Sequence, residues 1–281
     1  MSLSVLGLVL LAALCHATWN AFVKASDDRL AGLASINLIG AASGLLLMRF
    51  VQPPDAEGWL LLAASVPVHI LYKFLLARSY GRGDLTQIYP VVRGVAPLMV
   101  FVIALILLRE RMAAWEIGGM VAICSGVVLL AVERGRQAHL ALKSLGLAAL
   151  TGITIAVYTV IDGTGARHGA TPFSFAAWLF FLDGALFAVA VHYWRGPKLW
   201  TTMRLSWLAG LISGLVAVGS YCVFIWALSL GAMGTVAALR ETSVLFAALI
   251  GTVVLRERLG PARVVAAASI TLGIVLIAYA R

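Results

Sequence analysis

Charged residues are scarce in this chain of 281 residues: Asp, Glu, Lys and Arg make up 12%, whereas 62% of the residues are apolar. A water-soluble domain carries roughly a quarter charged residues and less than half apolar ones. The composition therefore excludes an ordinary soluble enzyme and a disordered protein, and the mean hydropathy of +1.00 indicates a membrane protein. The net charge of +9 does not require a nucleic-acid partner, because cytosolic loops of membrane proteins are rich in Lys and Arg.

Cysteine and catalytic motifs are equally scarce. Cys15, Cys124 and Cys222 lie far apart in apolar stretches and match neither a disulfide framework nor a metal site. The sequence has no Gly-x-x-x-x-Gly-Lys-Ser/Thr loop, which argues against direct use of ATP. It also has neither a paired His/Glu metal motif nor a Ser nucleophile elbow. We therefore expect no enzyme activity, no metal and no cofactor.

Long apolar runs make up most of the chain. A helix needs about 20 mostly apolar residues to cross a bilayer, and clusters of Gly, Pro and charge divide the sequence into ten such runs. Strands of a membrane barrel would alternate apolar and polar residues, which these runs do not. The sequence predicts an all-α polytopic membrane protein with ten transmembrane helices. The predicted spans are approximately 4–25, 31–50, 58–79, 85–108, 114–132, 144–163, 172–193, 206–229, 235–255 and 262–280.

The two halves of the sequence resemble each other. The run Leu-Arg-Glu-Arg-Met at 108–112 recurs as Leu-Arg-Glu-Arg-Leu at 255–259, an offset of 147, and Gly126 aligns with Gly273 at the same offset. A nearly constant offset indicates a duplicated unit. Because five spans is an odd number, the second copy enters the membrane in the opposite direction. The predicted fold is two inverted five-helix repeats around a central cavity, an architecture typical of secondary transporters. The predicted parts are residues 1–135, a connecting loop at 136–143, and residues 144–281.

Lys and Arg are unevenly divided between the two sides of the predicted bundle. Thirteen lie in the loops between spans one and two, three and four, five and six, seven and eight, and nine and ten, whereas five lie on the side with both termini. The positive-inside rule places the thirteen in the cytosol and both termini outside.

Two arginines lie inside the predicted spans. Arg93 in span four and Arg240 in span nine align with each other at the offset of 147. An ionisable group at membrane depth costs several kcal/mol and needs a partner or a watery cavity. Two facing guanidiniums also need an anion beside them, which Glu241 or a substrate carboxylate or phosphonate would supply. An arginine pair that only pins helices together is the alternative.

Aromatic and polar residues share helix faces elsewhere. His16, Trp19 and Asn20 lie on one face of span one, and His69 and Lys73 share a face of span three. Such faces predict a cavity that suits a small polar or zwitterionic solute. The predicted substrate-binding residues are Arg93, Arg240, Glu241, His16, Trp19, Asn20, Tyr72, Tyr89, Tyr158 and Trp178. The candidates for proton coupling are Glu241, Asp162, Asp183 and His16.

Several of these polar residues have a structural alternative. Lys73 and Asp162 lie near predicted helix ends, from which side chains can extend to the membrane interface. Asn37 is interpreted as an interhelical hydrogen bond. Pro90 and Pro97 remove backbone donors from span four and mark it as a moving or substrate-facing element. Glycines in spans five and ten suit close packing, here assigned to contacts between protomers: Gly118, Gly119, Gly126 and Gly273.

Three segments together resemble a known family. They are His-Ala-Thr-Trp-Asn-Ala-Phe-Val-Lys at 16–24, Tyr-Gly-Arg-Gly-Asp-Leu at 80–85, and Tyr89-Pro90 followed by Arg-Gly-Val-Ala-Pro at 93–97. With Glu110 and Glu257 after spans four and nine, they resemble the EamA family of the drug/metabolite transporter superfamily over essentially the full chain. The His-Ala-x-Trp-Asn and Gly-Asp-Leu…Tyr-Pro…Arg-Gly patterns are similar to a subset labelled phosphonate-associated.

The resemblance implies ten helices in two inverted halves, a central cavity and alternating access in the bacterial inner membrane. Family members move amino acids, other metabolites or toxic compounds, mostly outward. Small multidrug members of the superfamily use a Glu in the first helix to exchange protons for cations, whereas span one here has no acidic residue in its interior.

Residues and resemblance together predict a secondary transporter that exports a small polar metabolite with an anionic group, such as an amino acid or a related zwitterion. The alternative is a proton-coupled exporter of organic cations that uses Glu241 and Asp183. The expected partners are a small-molecule substrate, the lipid bilayer and protons, and the expected state is a monomer or homodimer.

Overall fold

The fold is all-helical in the part of the chain that the structure describes. A computed structural model describes residues 2–26, 28–80, 85–135, 142–168, 170–246 and 260–279, and these residues contain helices and no strands. The helices are α1 (Leu3–Ala25), α2 (Arg29–Leu47), α3 (Ala56–Tyr80), α4 (Leu85–Ile106), α5 (Ala114–Gly135), α6 (Leu142–Gly165), α7 (Pro172–Arg195), α8 (Lys198–Leu205), α9 (Trp207–Leu230), α10 (Met233–Glu241) and α11 (Pro261–Tyr279).

Membrane-length apolar helices recur along the chain. Six of the described helices, α1, α2, α3, α6, α7 and α9, are long and apolar enough to cross a membrane. Shorter apolar stretches occupy 95–106, 114–129 and 264–279. Large apolar side chains such as Leu60, Leu205 and Leu215 are exposed on the outside of the bundle. Lipid tails are as apolar as leucine, so these faces suit a multi-pass membrane protein.

Gly, Pro and charge set most helix ends. Asp28 accepts backbone hydrogen bonds from Leu30 and Ala31, which satisfies free N–H groups at the start of α2. Gly196, with a φ of 68°, ends α7 in a conformation that glycine adopts without strain. The short helix α8 follows it, although the sequence predicts a loop at this point.

Span four is helical on both sides of its prolines, because α4 continues past Pro90 and Pro97. A Cβ on Gly152 of α6 would lie 2.8 Å from the carbonyl oxygen of Val92, so α6 supports α4 at backbone distance. The aligned helix is interrupted instead: α10 ends at Glu241 and Thr242 forms a turn before helical residues 243–246.

Glycines bring helices from the two halves of the chain into backbone contact. A Cβ on Gly44 of α2 would lie 2.5 Å from the carbonyl oxygen of Ala177 in α7. A Cβ on Gly184 of α7 would lie 2.2 Å from the carbonyl oxygen of Asn37 in α2. Only glycine permits this approach, which is how small residues join membrane helices.

Helices α5 and α11 cross in the same way. A Cβ on Gly119 would lie 2.7 Å from the carbonyl oxygen of Gly273, and one on Gly273 would lie 2.5 Å from that of Gly119. Gly126 faces Ala266 and Ile270 of α11. The assignment of Gly119, Gly126 and Gly273 to contacts between protomers is therefore wrong, since these glycines pack within one chain.

Candidate functional site

A cavity of about 120 Å³ lies between α1, α2, α3, α6, α7, α9 and α10. It is lined by the middle portions of several of these helices, which places it inside the bundle. Part of its wall is apolar, with Leu33, Ile36, Leu179 and Ala217. The polar and aromatic residues that line it are His16, Trp19, Asn37, His69, Tyr72, Lys73, Tyr158, Phe180, Asp183, Tyr221 and Arg240.

Arg240 places a guanidinium in the cavity wall near the end of α10. It is 4% exposed, and its Nη2 donates to the Tyr158 hydroxyl at 3.4 Å. The guanidinium carbon lies 4.2 Å from the centre of the Phe224 ring, a cation–π contact. Its Nη1 has no hydrogen-bond partner among the described residues. Arg240 is therefore held by aromatic groups and keeps one buried donor for a further partner.

Glu241 lies between the two aligned arginines. Its Oε1 accepts a hydrogen bond from Nη1 of Arg93 at 3.2 Å and lies 3.9 Å from Nε of Arg240. Nη2 of Arg93 also donates to the Ser243 hydroxyl at 3.2 Å, just beyond the turn at Thr242. The carboxylate supplies the negative charge that two close guanidiniums require. Arg240 lines the cavity, whereas Arg93 and Glu241 are not among the described residues that line it.

A second buried ion pair joins α3 to α7. Nζ of Lys73 lies 2.5 Å from Oδ2 of Asp183 and donates to Oδ1 of Asn37 at 2.6 Å. The ammonium also lies 4.7 Å from the centre of the Phe187 ring. Lys73 is 6% exposed, so it does not extend to the membrane interface, and Asn37 forms the interhelical hydrogen bond that the sequence predicts. Oδ1 of Asp183 has no partner within the described part of the chain.

Asp162 forms a third polar cluster in which the described partners are neutral hydroxyls and an imidazole. This carboxylate of α6 is fully buried. It accepts hydrogen bonds from the Ser65 hydroxyl, from Nε2 of His69 at 2.8 Å and from the Tyr221 hydroxyl at 2.5 Å. The His69 ring stacks on Tyr158, with 4.0 Å between ring centres. Asp162 thus lies inside the bundle and does not extend to the membrane interface.

The structure brings together some of the site residues proposed from the sequence. His16, Trp19, Tyr72, Tyr158 and Arg240 line the cavity, as does Asp183. Nδ2 of Asn20 donates to the carbonyl oxygen of His16 at 2.8 Å, and Trp178 packs edge-on against Trp59. The side chain of Tyr89 lies outside the described residues.

The predicted substrate-binding and proton-coupling residues leave out three residues of the cavity, although the sequence places His69 and Lys73 on a face that predicts one. His69 and Lys73 of α3 and Tyr221 of α9 line the cavity and contact the two acidic residues there. The spacing of four residues between His69 and Lys73 was the available signal, since it places both on one helix face. Among the described residues, no cluster of His, Cys, Asp and Glu suits a metal ion.

Charged side chains inside a bundle of apolar helices define a class of protein, a multi-pass membrane protein with an internal polar site. The model of the EamA-like transporter family matches residues 142–279. Residues 142–279 therefore form an EamA-like transporter domain, which confirms the resemblance to the EamA family in this part of the chain and suggests a membrane transporter.

A solved structure extends the comparison to the whole chain. This structure, described only as a crystal structure of a protein, superposes with a TM-score of 0.71 at 19% identity. The match covers 97% of this chain and 94% of the other, and at this identity it shows a shared fold alone. No curated protein matches the chain.

Proposed function

We propose that the protein is a secondary active transporter that exports a small polar metabolite with an anionic group, such as an amino acid or a related zwitterion. One observation carries the proposal: the same cavity is lined by Arg240 and by the Lys73–Asp183 pair. A carboxylate binds a guanidinium through two hydrogen bonds, and an ammonium pairs with a carboxylate. A zwitterion therefore matches Arg240 with its acidic end and Asp183 with its amine.

The remaining site residues have supporting roles in this proposal. Trp19, Tyr72 and Tyr158 shape the pocket around the solute. Arg93 and Glu241 hold Arg240 in position from behind the cavity wall, which is consistent with their contacts to each other. The further substrate-binding candidates are His16, Asn20, Tyr89 and Trp178.

Helix packing supports an inverted repeat as the basis of alternating access. In such a repeat, α1 to α5 correspond in order to α6, α7, α9, α10 and α11. The packing of α1 on α9 then corresponds to that of α6 on α3, and α2 on α9 corresponds to α7 on α3. The contacts of α2 with α7 and of α5 with α11 join equivalent helices, and the packing of α4 on α6 corresponds to that of α10 on α1. We therefore propose ten membrane helices in two inverted units, residues 1–135 and 144–281.

A substitution that fills the cavity tests the proposal without removing a polar group. A Cβ on Gly40, which lines the cavity, would contact nothing within 4 Å, so Gly40→Val projects into the space of the solute. Gly219 is equally open but lies on the exposed outside of α9, and Gly219→Val is the matched control. We expect proteoliposomes with Gly40→Val to lose flux of a labelled amino-acid mixture, whereas the control retains it. Equal flux in both variants would contradict the assignment of this cavity.

One observation supports a second candidate function, the export of organic cations. Asp183 shares the cavity with Trp19, Tyr72 and Phe180, and aromatic rings beside a carboxylate suit a quaternary ammonium ion. A ligand that binds only the folded state raises its apparent stability. We expect amino acids or 2-aminoethylphosphonate to raise the melting temperature of the purified protein. Stabilisation by tetraethylammonium alone would favour the second candidate.

The acidic end of the solute is tested separately. Arg240→Ala removes the cavity guanidinium, and a charged hydrogen bond is worth roughly 1.5–3 kcal/mol, which corresponds to a loss of affinity of about 10- to 100-fold. Arg49→Ala, at an exposed arginine beyond the end of α2, is the control. Isothermal titration of both variants with the stabilising solute gives the comparison, and unchanged affinity in Arg240→Ala would refute this contact.

A further inference from the structure

Helix α8 carries basic side chains that the proposed transport site does not use. The sequence has no acidic residue between Asp183 and Glu241, whereas Arg195, Lys198 and Arg204 lie in or next to α8. In the proposed correspondence between the two halves, α8 has no counterpart, since α7 and α9 match α2 and α3. The helix therefore adds a positively charged element that is not part of the repeated unit.

One face of α8 attaches the helix to the bundle. Leu199 is buried in an apolar cluster with residues of α2 and α7, and Met203, one turn further on, packs against the same cluster. At the end of α7, Nη2 of Arg195 donates to Oδ1 of Asp28 at 3.3 Å, just before the start of α2. These contacts fix α8 at the end of the bundle where α2 begins and α7 ends.

The opposite face of α8 is exposed and basic. Lys198, Thr201 and Arg204 recur at every third residue, and the helical repeat places them on the side away from Leu199. All three are exposed. Within the part of the chain that the structure describes, neither Lys198 nor Arg204 forms an ion pair, and Asp28 is bonded to Arg195. Both cations are therefore accessible to an anion from outside the protein.

Tryptophans accompany this basic face. Trp194 and Trp207 are exposed on either side of α8 in the sequence. Trp200 is exposed on α8 itself, and its Nε1 donates to Nδ1 of His192 at 3.0 Å, which holds the indole beside the end of α7. Tryptophan is enriched at the headgroup level of membranes, where one end of the side chain meets lipid and the other meets water. The tryptophans therefore indicate that α8 lies in the membrane interface.

Charge and aromatic character together select one kind of partner. A lipid phosphate binds a guanidinium through two hydrogen bonds and an ammonium as a point charge. An acidic protein segment in water would match the cations but would leave three indoles exposed. A lipid without net charge would match the indoles but not the cations. An anionic phospholipid matches both.

We propose that α8 binds the headgroup of an anionic phospholipid, such as phosphatidylglycerol, in the leaflet next to this end of the bundle. Lys198 and Arg204 bind the phosphate, with the Thr201 hydroxyl between them as a further donor. Trp200 contacts the glycerol backbone of the same lipid. The site lies outside the cavity, so it does not depend on the transported solute.

Native mass spectrometry of the detergent-solubilised protein tests this site. Delipidated protein is titrated with phosphatidylglycerol or with phosphatidylcholine of the same acyl chains, which has the same phosphate but no net charge. We expect phosphatidylglycerol to bind the wild type about 30-fold more tightly, because each of two basic residues near a membrane surface contributes about fivefold. Lys198→Gln/Arg204→Gln is expected to lose most of this preference.

Arg49→Gln/Arg111→Gln is the matched control. It also removes two exposed arginines, which lie beyond the ends of α2 and α4 and therefore away from α8. We expect this variant to keep the preference of the wild type. Equal binding of the two lipids by the wild type would refute the site, and so would a preference that persists in Lys198→Gln/Arg204→Gln.

Two further measurements complete the test. Glycerol 1-phosphate carries the phosphate without acyl chains, so displacement of phosphatidylglycerol by an equal concentration of it would show that the ligand is a free phosphate and not a lipid. If the Gln variant does not fold, the wild type is titrated at rising concentrations of ammonium acetate. Salt screens exposed charges, so the preference is expected to fall, and a preference that does not change would refute the site. None of these outcomes involves the cavity, so they are independent of the proposed function.

Discussion

At the scale of single residues, the buried Lys73–Asp183 pair is expected to be sensitive to substitution. Its ammonium is surrounded by Asp183, Asn37 and the Phe187 ring, and it has almost no access to solvent. Such a cation depends on its carboxylate, because removal of one partner leaves an uncompensated charge inside the bundle. The two charges therefore stabilise the fold only as a pair.

We expect Asp183→Ala to lower the free energy of unfolding by about 3 to 5 kcal/mol. The double variant Asp183→Ala/Lys73→Met removes both charges and is expected to recover most of that loss. Unfolding in mixed micelles of increasing denaturing detergent measures the difference. A double variant as unstable as the single one would show that the pair does not act through charge.

The position of a polar residue within a helix does not show whether its side chain faces the inside of the bundle. Asn37 is placed correctly as an interhelical hydrogen bond, and Glu241 is correctly expected beside the two arginines. Lys73 and Asp162 lie near helix ends in sequence, and nothing in that position distinguishes extension to the interface from an inward-facing pair. Their partners come from other helices, 36 to 110 residues away along the chain, so tertiary packing decides the outcome.

At the scale of helices, the crossing of α5 and α11 depends on the absence of a side chain. We expect Gly273→Ala to destabilise the protein by about 1 to 3 kcal/mol, because its Cβ would lie 2.5 Å from a backbone oxygen that cannot move independently. Gly118→Ala on the same helix pair is the control, since its Cβ would meet Leu276 at an ordinary 3.9 Å. The same detergent titration compares them, and equal stability would contradict the close crossing.

A surface arginine holds the turn between α9 and α10. Arg167 donates to the carbonyl oxygens of Leu228 and Gly231 and to Glu110, whose other oxygen accepts from the backbone N–H of Met233. These bonds satisfy backbone groups at two helix ends.

We expect Arg167→Ala to cost about 1 to 2 kcal/mol, a value at the low end for charged hydrogen bonds because the side chain is partly exposed. Arg195→Ala, which breaks an exposed pair with Asp28, is expected to cost roughly 0 to 1 kcal/mol. Unfolding curves of the two variants test this order, and a larger loss in Arg195→Ala would reverse the interpretation.

Helix positions could be predicted because Gly, Pro and charge interrupt apolar runs at almost every helix end. The exceptions have local causes. Helix α8 contains Lys198 and Arg204 after Gly196-Pro197, a composition that is typical of a loop in a membrane protein, although it also suits a helix at the interface. The turn at Thr242 has no proline or glycine to mark it, and the Thr242 hydroxyl instead bonds the carbonyl oxygen of Leu239. The sequence therefore predicts neither the helix α8 nor the turn at Thr242.

At the scale of the whole molecule, orientation in the membrane follows from the loop charges. The connection that contains α8 carries Arg195, Lys198 and Arg204, whereas the connection between α2 and α3 carries Arg49 alone among its basic residues. The first of these belongs to the side with thirteen Lys and Arg, and the second to the side with five. The positive-inside rule therefore predicts that α8 lies in the cytosol and that both termini lie outside.

Labelling with a membrane-impermeant thiol reagent tests this orientation. The three native cysteines are replaced by Ala, and one cysteine is introduced at Gln52 or at Thr201, both exposed positions outside the membrane-length helices. In intact cells we expect the cysteine at 52 to react at once, and the one at 201 to react only after permeabilisation. The reverse pattern would place the Lys- and Arg-rich side outside. Reaction of both positions in intact cells would indicate that the protein inserts in two orientations. Dual insertion requires the two orientations to be nearly equal in energy. The excess of thirteen over five basic residues is expected to prevent this, because it favours one orientation.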